Sequence, residues 1–146
     1  MSNSFLLDVN VLIAAIWPTH ESHSTVQQWL GRHAGDGWAT CPLTQAAFVR
    51  IVSNPAFSPN ALTSRDALAL LDANLRHATH HFWEDEISLL AAVELFAERL
   101  VGHQQISNAY LLGLAIHKKG KLATLDQGVL ALLPAGSAHR DSLVLI

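Results

Sequence analysis

Apolar residues along this chain fall into two kinds of pattern that alternate from one end to the other. Phe5-Leu6-Leu7 is a short apolar run closed by Asp8, too brief for a helix, and it predicts a buried parallel strand. Val11 to Trp17 and Ser22 to His33 carry apolar residues at helical spacing, and Pro18 breaks the pattern between them, so two consecutive helices are expected. Gly37 to Cys41 predicts a second strand. Pro42 and Thr44 then prepare a helix through Phe48, Ile51 and Val52, which stops near Asn54-Pro55. After a loop from Asn54 to Asn60, Thr63 with Asp66 three residues on marks a helix start before Leu68, Leu70, Leu71 and Leu75.

His80 to Trp83 predicts a third strand. Ser88 is placed to cap a helix through Leu89, Val93 and Phe96, and Ser107 to cap another through Tyr110, Leu111, Leu114 and Ala115 that ends before Gly120. Lys121 to Leu125, closed by Asp126, and Leu143 to Ile146 supply the remaining strands. Strands alternating with helices predict a three-layer α/β/α sandwich on a mostly parallel sheet, over a single domain of residues 1–146.

Composition narrows the picture. Half of the 146 residues are hydrophobic and 14% are charged, enough for one sizeable core. The lone cysteine, Cys41, has no internal disulfide partner, which points to a reducing cytoplasm. The stretch from Phe5 to Trp17 is interrupted by Asp8 and Asn10 and lacks a basic leader and cleavage site, so no export signal is expected, and no stretch is long enough to span a membrane. Nine Lys and Arg against twelve Asp and Glu give a formal charge of -3, which argues against tight, non-specific binding to nucleic acid through a broad basic surface; any such contact is expected to be local.

The chemistry lies at two strand ends. Leu6-Leu7-Asp8 and Ala123-Thr124-Leu125-Asp126 each finish an apolar run in a carboxylate, and ligands of open α/β sheets bind beyond the carboxyl ends of strands. Either aspartate alone reads equally well as a cap on the helix or turn after it. Two in so uncharged a chain favour a shared site. Carboxylates that converge repel, and a hard divalent cation such as Mg²⁺ or Mn²⁺ relieves the repulsion while binding phosphate oxygens and activating water. Phosphodiester hydrolysis is the reaction such a site suits. A nucleotide-binding or receiver-like α/β domain fits less well, because the chain has no GxGxxG or Walker A motif and no paired N-terminal acidic cluster.

Four segments in order, Leu7-Asp8-Val9-Asn10-Val11-Leu12, Pro42 to Arg50, Ile106-Ser107-Asn108-Ala109-Tyr110-Leu111 and Leu122 to Asp126, resemble the PIN-domain ribonuclease toxins of VapBC-type toxin–antitoxin pairs. The resemblance implies an endoribonuclease with an acidic Mg²⁺ or Mn²⁺ site, RNA as substrate, a homodimer, and a cognate antitoxin that inserts a peptide into the site. Carried over by position, Asp8 matches the first acid, Gln45 the second, Asn108 the third and Asp126 the fourth. Two of the four have lost their charge. Asn108 stands where the family pattern puts a metal-ligand carboxylate, so weaker metal binding and reduced activity are expected; the alternative is a catalytically weak scaffold that binds antitoxin or RNA without cleaving.

Other residues are candidates for supporting roles. Thr124 is placed to orient a carboxylate or water, and Asn10 to hold Asp8 or to shape the turn after the first strand. Arg50, Lys118, Lys119 and Lys121 are candidates for RNA phosphate contacts near the acidic crevice, with a solvated helix end as the plainer account of the lysines. The pairs His20/His23 and His80/His81 have a spacing that suits a metal or phosphate, although surface histidines are ordinary and zinc sites show more ligands. Trp17, Trp29, Trp38 and Trp83 read as core or dimer interface, and Phe96 with Leu100 as apolar surface beyond what one core needs.

Overall fold

The computed structural model describes residues 4–146; residues 1–3 of the predicted domain lie outside the described residues. Five strands, β1 (Phe5–Leu7), β2 (Trp38–Thr40), β3 (His80–Phe82), β4 (Lys121–Thr124) and β5 (Leu143–Leu145), pair in the order β3-β2-β1-β4-β5, and every pairing is parallel. The helices between them are α1 (Val9–Ile16), α2 (His23–His33), α3 (Pro42–Val52), α4 (Ser64–Leu75), α5 (Leu89–Val93) and α6 (Ile106–His117). Alternation along each strand sorts the core into two layers. Phe5, Leu7, Trp38 and Ala123 pack with residues of α1 to α4, whereas Leu6, Ala39 and Leu122 pack with residues of α5 and α6 on the opposite face. This is the expected three-layer sandwich.

Local chemistry sets the helix starts. Asp8 caps α1, the Thr63 hydroxyl accepts from Asp66 N at 3.1 Å at the head of α4, and Ser88 accepts from Ala91 N at 3.1 Å at the head of α5. Pro42 occupies the first turn of α3, where its missing N–H costs nothing, and the Thr44 hydroxyl accepts from Cys41 N at 3.1 Å. Helix α5 lies almost against α6: a Cβ on Gly113 would come within 2.2 Å of the Ala92 carbonyl oxygen, so only glycine permits this approach.

Three expectations are corrected. Ser107 is not a cap, because α6 already begins at Ile106 and Ser107 falls in its first turn. The helix expected through Phe96 is α-helical only to Val93 and tightens to 3₁₀ geometry over Glu94–Arg99. Phe96 is not spare surface: it is 1% exposed inside the α5–α6 core, and Leu100 packs partly buried against the same cluster. The outward apolar side chains of this region are instead Leu89, Leu90, Leu95 and Val101. Trp29, Trp38 and Trp83 are buried, and Trp17 stacks edge-on against Phe57 at 5.1 Å. Among the described residues no helix is long and apolar enough to cross a membrane.

Candidate active site

The strands that end in aspartate are the two central neighbours. The chain winds outward from β1 to β2 and β3 on one side, and the later strands β4 and β5 lie on the other, so the direction of winding reverses between β1 and β4. Crossover helices diverge at such a point and leave a crevice beyond the carboxyl ends of the two strands. Leu7 aligns with Ala123, and Asp8 N donates to Ala123 O at 2.9 Å, so Asp8 and the Thr124–Asp126 turn lie together at that edge.

Thr124 joins the two acids. Its hydroxyl donates to Asp8 Oδ2 at 2.7 Å and accepts from the Asp126 backbone N–H at 3.0 Å. Asn10 completes the frame: its amide donates to Thr124 Oγ1 at 3.4 Å and its carbonyl accepts from Leu125 N at 3.2 Å. With its lone pairs engaged by donors, Thr124 has its one proton directed at Asp8. Both acids also cap, since Asp8 Oδ1 accepts from Val9 N at 2.7 Å and Asp126 Oδ1 from Gly128 N at 2.8 Å. Capping and convergence are thus properties of the same two carboxylates.

Asp8 is 3% exposed, and Asp126 is exposed. Burial pushes the Asp8 carboxyl above the ordinary aspartate value; the bonds from Thr124 and Val9 oppose that rise, and the charge of Asp126 adds to it. A group whose folded pKa is raised in this way favours the fold at low pH and loses that contribution as pH rises through the folded value. No Lys, Arg or His forms an ion pair with Asp8 or Asp126 among the described residues. Asn108, at the start of α6, donates its amide to Asp126 Oδ2 at a long 3.4 Å.

Other predicted site residues go elsewhere. The cleft at Asp8 is walled by Thr44, Ala47, Arg50 and Ile51 of α3 and by Ser107, Asn108 and Leu111 of α6. Gln45 is not among them. One helical residue from Thr44 is a turn of about 100°, and it aims Gln45 away, where its amide donates to Thr40 Oγ1 at 3.0 Å. Ala47, two residues on, is one of the α3 residues on the cleft wall, and with no polar side chain it carries no signal in the sequence. Thr40 is fully buried and its hydroxyl lies 2.8 Å from His80 Nε2, so Gln45, Thr40 and His80 form one hydrogen-bonded chain. Burial holds the His80 imidazole below the ordinary histidine value, partly offset by its bond to the Leu75 backbone.

Lys118 and Lys119 lie far from the acids. They come after the last turn of α6, whereas Asn108 is in the first, and twelve residues of helix are about 18 Å long. Lys118 pairs with Glu86 at 2.9 Å, Lys119 takes a left-handed conformation (φ 60°) beyond the helix end, and Lys121 donates to the Asp141 carbonyl at 3.0 Å. Proximity in sequence to β4 was misleading, because these lysines precede the strand and the acid comes after it. His20 accepts from Ser22 N, His23 bonds to the Ala14 carbonyl at 2.7 Å, and His81 lies beside Gly37; none belongs to a group of three metal-ligating side chains among the described residues. A further acid went unnoticed in the sequence: Asp85 accepts from the Tyr110 hydroxyl at 2.5 Å, and burial together with that carboxylate raises the phenol above its ordinary pKa.

Comparison with known proteins places this arrangement. The PIN domain family matches residues 5–132. The chain belongs to that family. Ribonuclease VapC38 of Mycobacterium tuberculosis is 41% identical over 127 residues, 87% of this chain and 88% of the relative. Ribonuclease VapC39 of the same organism is 37% identical over 131 residues, covering 90% and 94%, and Ribonuclease VapC29 is 40% identical over 141 residues, covering 97% and 95%. Among solved structures, VapBC2 from Rickettsia felis, bound to a DNA fragment from its promoter, contains a chain that superposes with a TM-score of 0.62 at 16% identity, over 98% of this chain and 97% of that one. That likeness shows the PIN fold, with β1 and β4 at its centre in the present chain.

Proposed function

We propose that this PIN-domain protein is an endoribonuclease, the toxin of a toxin–antitoxin pair, which hydrolyses RNA phosphodiesters at the Asp8–Asp126 crevice. The observation that carries this is the joining of the buried Asp8 carboxylate to the backbone of Asp126 through Thr124 at the switch point of the sheet. Relatives named ribonucleases across most of the chain support the substrate class.

The donor set fits a hard divalent cation. Two carboxylates and an amide oxygen are oxygen ligands, too few to displace all of an ion's water, and neither carboxylate has a basic partner among the described residues. Asp8 and Asp126 would hold Mg²⁺ or Mn²⁺, with Asn108 as a neutral third ligand; when bound, such an ion supplies a polarised water and charge neutralisation at phosphorus. Thr124 fixes Asp8 by the hydrogen bond it donates, and Asn10 fixes Thr124. Neither α3 nor α6 adds a third carboxylate, since the residues they bring to the cleft, Thr44, Ala47, Arg50 and Ile51 from one and Ser107, Asn108 and Leu111 from the other, include no acid. Lowered activity is the consequence of that deficit. The same feature favours the second reading, a scaffold that binds antitoxin or RNA without cleavage.

The VapBC assembly among the structural relatives supports a cognate antitoxin as partner. Outward Leu89, Leu90, Leu95 and Val101 support a homodimer, which light scattering would show as twice the 15.9 kDa chain mass. The free, buried thiol of Cys41 agrees with a place in the reducing cytoplasm. The deciding experiment is a Mn²⁺ titration of cleavage of a mixed RNA pool by the protein and by Asp8→Ala. Cleavage that needs metal and disappears in Asp8→Ala is expected. Equal activity in the two at saturating metal would replace the nuclease reading with the scaffold.

A further inference from the structure

Arg50 is exposed on α3, and its side chain lines the same cleft as Asp8, Ser107 and Asn108. The cleft holds about 120 Å³, room for a phosphate group, and it is open to solvent. Among the described residues Arg50 has no carboxylate partner; the acids that do pair are Asp72 and Glu86, with Arg76, Lys118 and His117. It also borders a second and larger groove between α3 and α4, with Val49, Ser53, Ser64 and Leu68 on its walls. Arg50 therefore borders both the cleft at Asp8 and the larger groove beside it.

Charge decides what it does there. Displacement at phosphorus through two cations needs enough carboxylates to hold both; the cleft wall carries one, Asp8, with Asp126 tied to it through Thr124 and Asn108, while Ala47 and Asn108 are uncharged. One cation leaves the charge on the non-bridging oxygens partly uncompensated. Lys118 and Lys119 are at the far end of α6 and cannot supply the remainder. Resting on the nuclease reading above, we infer that Arg50 is a catalytic residue that binds the non-bridging oxygens of the scissile phosphate and takes the part of a second cation. In the step it serves, a water oxygen forms a bond to phosphorus as one ester P–O bond breaks. The water's proton passes to solvent, and the departing alkoxide takes up a proton to leave as a hydroxyl. No oxidant or further reactant enters. A planar guanidinium presents paired donors to two such oxygens, a geometry that lysine does not reproduce.

The test compares the protein, Arg50→Ala, Arg50→Lys and the charge-matched control Arg32→Ala on α2, each also in the Asn108→Asp background, with Asp8→Ala as the inactive reference. Steady-state cleavage of a short RNA in Mn²⁺ gives kcat and KM, single-turnover cleavage gives the rate of the chemical step, and binding of the same RNA in EDTA across a salt series gives the ground-state contact. Arg50→Ala is expected to lower kcat by about 10²- to 10³-fold. In EDTA the slope of affinity against salt should change by no more than about 0.7, the share of one single-strand phosphate. Arg50→Lys should recover little, millimolar guanidinium ion should partly restore Arg50→Ala, and Arg32→Ala should match the parent. If Arg50→Ala keeps its kcat and only weakens RNA binding, or changes neither, the inference fails while the Asp8-dependent nuclease stands. If no form cleaves faster than Asp8→Ala, the nuclease reading fails and takes the role of Arg50 with it.

Discussion

Replacing Asn108 by Asp puts a carboxylate where an amide now donates to Asp126 Oδ2 at 3.4 Å. Without metal, the change exchanges a weak attraction for a repulsion. Two unit charges about 4 Å apart cost about 1 kcal/mol in water and about 4 kcal/mol at the effective dielectric of a protein surface. Asp126 is exposed and screened, which favours the lower end, and the N-terminal turn of α6 offsets part of what remains. A loss of about 1–2 kcal/mol, or a drop of roughly 2–8 °C in melting temperature for a domain of this size, is expected in EDTA. With metal, the sign reverses, because an added anionic ligand strengthens cation binding by a few kcal/mol, about 10²-fold or more in affinity. The assay is a pair of melting curves, in EDTA and in a Mn²⁺ series, for the protein and for Asn108→Asp. Stabilisation by a ligand grows as RT ln(1 + [L]/Kd), so the variant should overtake the parent at a metal concentration set by the two affinities. Equal melting in EDTA, and an equal response to Mn²⁺, would refute the placement of Asn108 beside a shared cation site.

Thr124→Val should destabilise by about 1–3 kcal/mol in urea, since it leaves the buried Asp8 carboxylate without its 2.7 Å donor. It should also weaken Mn²⁺ binding in calorimetry. Gly113→Ala drives a methyl to within 2.2 Å of the Ala92 carbonyl; overpacking costs typically about 1–3 kcal/mol, and a backbone obstacle puts this case at or beyond the upper end, visible as a lowered melting temperature. His80 should make stability depend on pH. Its folded pKa is below the ordinary 6.5, so its contribution is whole above that value and is lost as pH falls from there through the folded pKa. Urea midpoints from pH 7.5 to 5 should fall less steeply in His80→Gln than in the parent.

The sheet and its central acids were legible because an apolar run closed by a carboxylate is a strong signal, and because parallel crossovers leave few strand orders. Asp8 and Asp126 sit at strand ends, where sequence position and spatial position coincide. Helices are less forgiving. A shift of two residues separates Gln45, turned toward Thr40, from Ala47 on the cleft wall, and the polar residue attracted the assignment. Lys118 and Lys119 were misplaced because one short strand separates opposite edges of the sheet. Asp85 went unread because its partner, Tyr110, lies 25 residues away and only the fold joins them. Apolar content alone does not reveal that the 3₁₀ turn directs Phe96 inward.

The bond from Thr124 to Asp8 spans 116 positions of chain. Synthesis proceeds from the N-terminus at about 5–20 residues per second, so for several seconds the first acid exists without the threonine that orients it or the aspartate that shares its crevice. A polypeptide interrupted before β4 carries Asp8, Arg50 and Asn108 and still has no assembled centre. A nuclease whose first acid and its orienting threonine lie 116 positions apart cannot assemble its centre until β4 has been synthesised.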